Sequence, residues 1–213
     1  MPASDLNSLL AGTPVVPVLV IESVATALPL ARALVDGGLR ALEITLRTPA
    51  ALDVIRALAA EVEGAVVGAG TVLTAGQYED AERAGARFVV GPGATDVLLA
   101  AAAASVVPFL PGAVTASEVM RLLEQGYRFL KFFPAEPAGG VAYLEALAAP
   151  LPEARFCPTG GIDAIKAPTY LSLPNVLCVG GSWVAPKDAL AAGDWPRITK
   201  LARAAAAQGG STK

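Results

Sequence analysis

Eight short apolar or β-branched runs punctuate the chain: PVVPVLV (14–20), LRALEITL (39–46), GAVVGAG (64–70), ARFVVGPG (86–93), SVVPFLPG (105–112), YRFLKFFP (127–134), ARFCPTGG (154–161) and NVLCVGG (175–181). Their starts lie 19 to 27 residues apart, which leaves room for one strand, one short helix and two tight loops. The segments between the runs carry helix signals. Thr48-Pro49 places a cap and a first-turn proline before Leu52, Ile55, Ala59 and Val62, an apolar stripe that stops at Gly64. Thr74 with Gln77, and Thr115 with Glu118, each predict a capping box, and the helices they open close at Gly85 and Gly126. Asp194 opens the last helix, with Ile198, Leu201 and Ala205 on one side. Strands alternating with capped helices predict right-handed βα units around a parallel sheet buried on both faces. Eight such units predict an α/β chain folded as a (β/α)8 TIM barrel, a single domain over 1–213 with a short N-terminal helix. An open doubly wound sheet is the alternative. The terminal GGSTK is expected to fray.

Composition removes several classes of function. With 54% hydrophobic and 16% charged residues the chain can bury enough apolar surface to offset the entropy of ordering, unlike a disordered protein. Mean hydropathy is +0.55, but alanine inflates it, and Gly, Pro or charge breaks every apolar run before the roughly 18 residues a spanning helix needs. The start, MPASDLNSLL, has neither a basic nor a long apolar segment, so a cytoplasmic location without membrane association is expected. A net charge of −3 and 6% aromatics leave no basic stripe or stacking platform for nucleic acid. Cys157 and Cys178 are expected to be buried free thiols. Histidine is absent. That excludes Ser-His-Asp and Cys-His catalysis and histidine-ligated zinc, so any proton shuttle must be a carboxylate, Lys, Tyr, Cys or water.

Two strands hold residues that do not suit a core. In YRFLKFFP, alternation puts Phe129, Lys131 and Phe133 on one face and Leu130 and Phe132 on the other. Lys131 either snorkels from a strand end or serves as a nucleophile, since an amine held away from water loses stabilisation of its charged form. In ALEITLRTP, Glu43, Thr45 and Arg47 project one way and Leu42, Ile44 and Leu46 the other. Glu43 and Arg47 could form a structural ion pair. Without histidine, Glu43 is also the natural general acid/base, and Arg47 a bidentate binder of a substrate carboxylate. The runs PTGGI (158–162) and VGGSW (179–183) each contain a glycine pair whose amides can approach an anion closely, as at the phosphate sites of (β/α)8 barrels. The GxG at 68–70 and at 91–93 lack dinucleotide-binding spacing and read as turns.

The order and spacing of PVVPVLV, LEITLRT, VGAGTVL, FLKFFPAE, RFCPTGGI and VLCVGGSW resemble the 2-keto-3-deoxy-6-phosphogluconate (KDPG) and 4-hydroxy-2-oxoglutarate (KHG) aldolases over nearly the whole chain. The resemblance implies a class I pyruvate aldolase of the Entner–Doudoroff route, a (β/α)8 barrel assembled as a homotrimer. It places the Schiff-base lysine on Lys131 and the general acid/base on Glu43. Arg47 and Thr71 fall at the pyruvate carboxylate, Phe133 forms an aromatic wall, and Thr159 lies near the reacting carbon. Pro92 is retained in GPG, whereas Gly91 departs from the small hydroxyl residue of many relatives. The substrate phosphate falls on Gly160, Gly161, Gly180, Gly181 and Ser182. The implied reaction is reversible cleavage of KDPG to pyruvate and glyceraldehyde 3-phosphate, with side activity on KHG giving pyruvate and glyoxylate. It needs no metal or organic cofactor, only a covalent imine on Lys131. A phosphate-binding isomerase or decarboxylase, and a non-catalytic phosphosugar-binding barrel, are the competing readings. The isomerase or decarboxylase would share the glycine loops but have no need of Lys131 among phenylalanines, and borohydride trapping separates all three readings.

Overall fold

The computed structural model describes residues 3–10 and 12–209; 210–213, in the stretch expected to fray, lie outside them. All eight apolar runs contribute strands. These are β1 (Val15–Leu19), β2 (Ala41–Thr45), β3 (Val66–Gly70), β4 (Phe88–Val90), β5 (Phe109–Leu110), β6 (Gly112–Ala113), β7 (Phe129–Phe132), β8 (Arg155–Pro158) and β9 (Val179–Gly181). Every pairing between them is parallel, as strands connected through helices require.

The pairing forms two sheets, not one continuous ring of eight strands. One has the order β5-β4-β3-β2-β1-β9 and the other β6-β7-β8. The division falls inside the fifth run, at Pro111. Proline has no amide hydrogen to donate to a ladder, and here it contributes only its carbonyl, which accepts from the Lys131 amide at 2.8 Å. At the other edge, isolated parallel bridges pair Phe156 with Val176 and Thr159 with Gly180, bringing β8 beside β9.

The helices are α1 (Ala3–Leu10), α2 (Val24–Asp36), α3 (Ala51–Glu61), α4 (Ala75–Arg83), α5 (Asp96–Ala104), α6 (Ala116–Glu124), α7 (Gly140–Ala148), α8 (Ala167–Leu171), α9 (Lys187–Ala192) and α10 (Trp195–Ala206). The Thr115–Glu118 capping box forms in full on α6. On α4 it is half formed: Thr74 accepts from the Gln77 amide, while the Gln77 side chain reaches past it to the Leu73 amide at 2.8 Å. Asp194 caps α10 as expected, and Gly85 and Gly126 take the positive φ that follows a helix end. The reading of α3 needs correction. Thr48 does not cap it, because its hydroxyl donates to the Ile21 carbonyl at 2.6 Å and the helix begins only at Ala51. Its buried stripe is Ala51, Val54, Ile55 and Leu58, and Ala59 faces solvent. Among the described residues no helix is long and apolar enough to cross a membrane.

Two apolar clusters follow from strand alternation. The larger joins Leu42, Ile44, Leu130, Phe132 and Phe156 to the helices. The smaller gathers the opposite strand faces, Val16, Ala41, Phe88, Val90, Leu110, Phe129, Cys157 and Cys178, with Leu6 and Leu10 of α1 packed against them. Residues of both sheets meet in this second cluster, so the inner faces of the sheets oppose one another. Both cysteines are free and buried, and the Cys157 hydrogen bond together with burial raises the Cys178 thiol pKa well above the ordinary range.

Candidate active site

Polar residues break into the inner face at one level. Glu43, third residue of β2, and Lys131, third residue of β7, are 3% and 5% exposed. Lys131 Nζ donates to Glu43 Oε1 at 3.1 Å, across from one sheet to the other. Small neighbours make the space. Lys131 lies in register with Gly112 and Cys157, and Glu43 with Val18 and Gly68. The lysine therefore does not snorkel to solvent. It is held by a carboxylate, with the Phe133 ring centroid 5.5 Å from Nζ.

Gly70 explains how the carboxylate is held. A Cβ at this position would lie 2.2 Å from Glu43 Oε1 and 2.6 Å from its Cγ. Gly70→Ala is thus expected to displace the carboxylate from Lys131. The aldol cleavage that the resemblance implies should then fall by about 100-fold, the scale of a misplacement near 1 Å. Steady-state kinetics beside a thermal melt checks this, the melt establishing that the loss is not one of folding.

The remaining predicted residues lie at or just beyond the C-terminal ends of the strands, Gly180 and Gly181 within β9 itself, where parallel α/β folds place their ligands. Arg47 corrects one expectation. The strand ends at Thr45, the backbone turns, and Arg47 is exposed, so the alternation that carries Glu43 inward does not extend to it. It makes no pair with Glu43. Its Nε donates instead to Thr71 Oγ1 at 3.0 Å. Thr71 has φ 59°, a left-handed conformation that costs a β-branched residue about 1–3 kcal/mol and is characteristic of functional turns. Thr45, on the Glu43 face, is wholly buried and donates to the Leu19 carbonyl at 2.9 Å.

The glycine-rich ends of β8 and β9 sit side by side. Thr159, 6% exposed, is bridged to Gly180, where a Cβ would fall 2.2 Å from the Thr159 hydroxyl. Gly160 and Gly161 have φ of 105° and 80°, open to glycine alone without strain. A Cβ on Gly160 would lie 3.3 Å from the Phe133 ring, so this loop adjoins the aromatic side of the lysine site. Gly181 is required beneath the Trp183 ring, which a Cβ would meet at 1.7 Å. Ser182 is exposed at the end of β9. Pro92 is half-buried, its backbone packed on Gly112, the register partner of Lys131.

Sequence reading missed a second polar cluster beside this loop. Glu136, two residues past cis-bonded Pro134, binds Lys166 Nζ through Oε2 at 2.6 Å and accepts from the Tyr170 hydroxyl through Oε1. The Lys166 and Tyr170 hydrogen bonds hold the Glu136 carboxyl below its ordinary pKa. Lys166 immediately precedes α8. The pointer to it was Asp163, whose Oδ1 accepts from the Ile165 and Lys166 amides at 2.9 Å and so fixes the turn after the glycine pair.

Fold and site define a class: a parallel α/β protein with a lysine and a carboxylate buried together inside its strands and glycine-rich loops at the strand ends. Residues 6–201 match the family model for KDPG and KHG aldolase. A 2-dehydro-3-deoxy-phosphogluconate aldolase of Pseudoalteromonas atlantica is 55% identical over 91% of this chain and 90% of its own. A KHG/KDPG aldolase of Escherichia coli K12 is 53% identical over 95% of both. The KDPG aldolase of Legionella pneumophila, solved with pyruvate captured at low pH as a covalent carbinolamine intermediate, aligns with a TM-score of 0.91 at 46% identity, over 96% of this chain and 97% of that one. The chain belongs to the KDPG and KHG aldolase family.

Proposed function

We propose that the chain is a class I aldolase that reversibly cleaves KDPG to pyruvate and glyceraldehyde 3-phosphate and also acts on KHG. The observation that carries this reading is the buried Lys131–Glu43 contact at 3.1 Å. An amine nucleophile and a proton carrier stand in direct reach, with water largely excluded. Family membership and the relatives' names support the same reaction. We extend the proposal to closure of the two sheets into one (β/α)8 barrel, supported by the inner-face cluster and the bridges between β8 and β9. As a family member the chain is proposed to act as a cytoplasmic homotrimer.

In this reading neutral Lys131 attacks the C2 ketone while Arg47 and Thr71 hold the adjacent carboxylate. Glu43 moves the proton that turns the carbinolamine hydroxyl into departing water, leaving an iminium at C2. Glu43 takes the proton of the C4 hydroxyl as the C3–C4 bond breaks, and the bonding pair flows to the iminium nitrogen. Glyceraldehyde 3-phosphate leaves, a proton returns to C3, and water releases pyruvate from Lys131. Thr159 borders the reacting carbon, and Phe133 and Pro92 form its walls. Gly160, Gly161, Gly180, Gly181 and Ser182 receive the phosphate.

Pyruvate release from KDPG, undiminished after exhaustive chelation, is the direct test of the activity and of its independence from metal; absence of release overturns it. Substrate preference tests the phosphate end, because both substrates share the pyruvyl portion. Ser182→Ala is expected to lower kcat/KM for KDPG by roughly ten- to a hundredfold, the worth of one hydrogen bond to a charged group, and to leave KHG nearly unchanged. Equal losses on both substrates would make Ser182 a structural residue of the strand end.

A further inference from the structure

Glu136 places a carboxylate beside the loop that receives the phosphate. Its amide donates to the Gly160 carbonyl at 3.1 Å, and a Cβ on Gly161 would come within 2.7 Å of its Cγ. Left alone, this anion would repel a phosphate dianion at the same loop. Lys166 answers it on two sides. Its Nζ pairs with Glu136 Oε2 at 2.6 Å and also donates to the Gly161 carbonyl at 3.1 Å. The Tyr170 hydroxyl holds the other carboxylate oxygen, and Asp163 holds the turn from which Lys166 projects. One cation therefore fixes the glycine loop and neutralises the anion beneath it.

We propose that Lys166 is a specificity-determining positioning residue: it anchors Gly161 and cancels the Glu136 charge, so that the site favours phosphorylated over unphosphorylated aldol substrates. The inference rests on the reading that the phosphate sits at the glycine loops. Lys166 lies more than 30 positions from Lys131 in the chain and makes no contact with the Lys131–Glu43 pair among its hydrogen bonds. Its effect should therefore appear in recognition of the phosphate and not in the imine chemistry.

The test is steady-state kinetics on KDPG and KHG with Lys166→Met, Lys166→Arg and the double variant Glu136→Gln/Lys166→Met. Lys166→Met is expected to lower kcat/KM for KDPG about tenfold, chiefly through KM, with a loss that shrinks as salt screens the half-buried carboxylate. Its KHG value should stay within about twofold. Lys166→Arg, which keeps the charge, should retain most of the preference. The double variant, with neither charge left, should recover most of what the single one loses. Equal effects on both substrates, no effect, or no recovery in the double variant would each overturn the proposal. If Lys166→Met fails to fold, the arginine and double variants decide the matter alone, by retaining the preference or losing it. Ser182→Ala separates the two levels of the argument. If it selectively weakens KDPG while the Lys166 variants do not, this inference fails alone; if it shows no selectivity, the phosphate reading falls and takes the inference with it.

Discussion

Borohydride reduction in the presence of pyruvate is expected to attach one pyruvyl group to each chain, at Lys131. The adduct carries pyruvate less one water plus two hydrogens, because an imine forms and is then reduced to a secondary amine. Four other lysines compete: Lys166, Lys187, Lys200 and Lys213. Lys166 is engaged by Glu136, which raises its ordinary pKa and keeps it an ammonium. Lys187 begins α9 and Lys200 lies within α10, away from the inner face. Among the described residues, only Lys131 combines burial with an adjacent carboxylate. Peptide mapping of the reduced protein locates the label, and its spread over several lysines, or its absence, would remove the aldolase reading. Lys131→Met should abolish trapping and lower cleavage by about 10⁴-fold or more, since it removes the nucleophile itself. It also leaves Glu43 without its buried partner, so a melting curve belongs beside the assay.

Glu43→Gln is expected to lower turnover by about 10² to 10⁴, the range for a positioned acid/base. The substitution keeps side-chain volume and leaves an oxygen that can still accept from Lys131. The chain should therefore fold and still form the imine slowly. Rapid-quench trapping with borohydride follows that step separately from cleavage. The pattern that supports proton transfer is a large loss of turnover beside a modest loss of trapping and a nearly unchanged melt. If stability and trapping fall together, Glu43 serves the structure as the partner of Lys131. A buried pair broken on one side typically costs about 3–5 kcal/mol, which a melt would register.

Sequence periodicity located the strands because side chains alternate along an extended backbone, and a buried parallel strand leaves an apolar run in the sequence. The same alternation placed Lys131 with Phe129, and Glu43 with Thr45, on inner faces, as found. It failed at Arg47, since a period-two rule holds only while the strand continues, and β2 ends at Thr45. It failed at Thr48 for a related reason: a threonine hydroxyl can cap a helix or satisfy a neighbouring carbonyl, and Ile21 is close only in the folded chain.

The sequence by itself determined the kinds of chemistry open to this protein. With no histidine and one lysine inside an apolar strand, the candidates for nucleophile and proton carrier were already few. Tertiary structure alone decided who pairs with whom. Lys131 and Glu43 are 88 positions apart and belong to different sheets, and their contact arises because the two inner faces oppose one another. The Glu136–Lys166–Tyr170 cluster spans 34 positions and was invisible for the same reason. Local sequence fixes which way a side chain leaves the backbone, whereas the approach of two distant strands is set by how all the helices and sheets pack together.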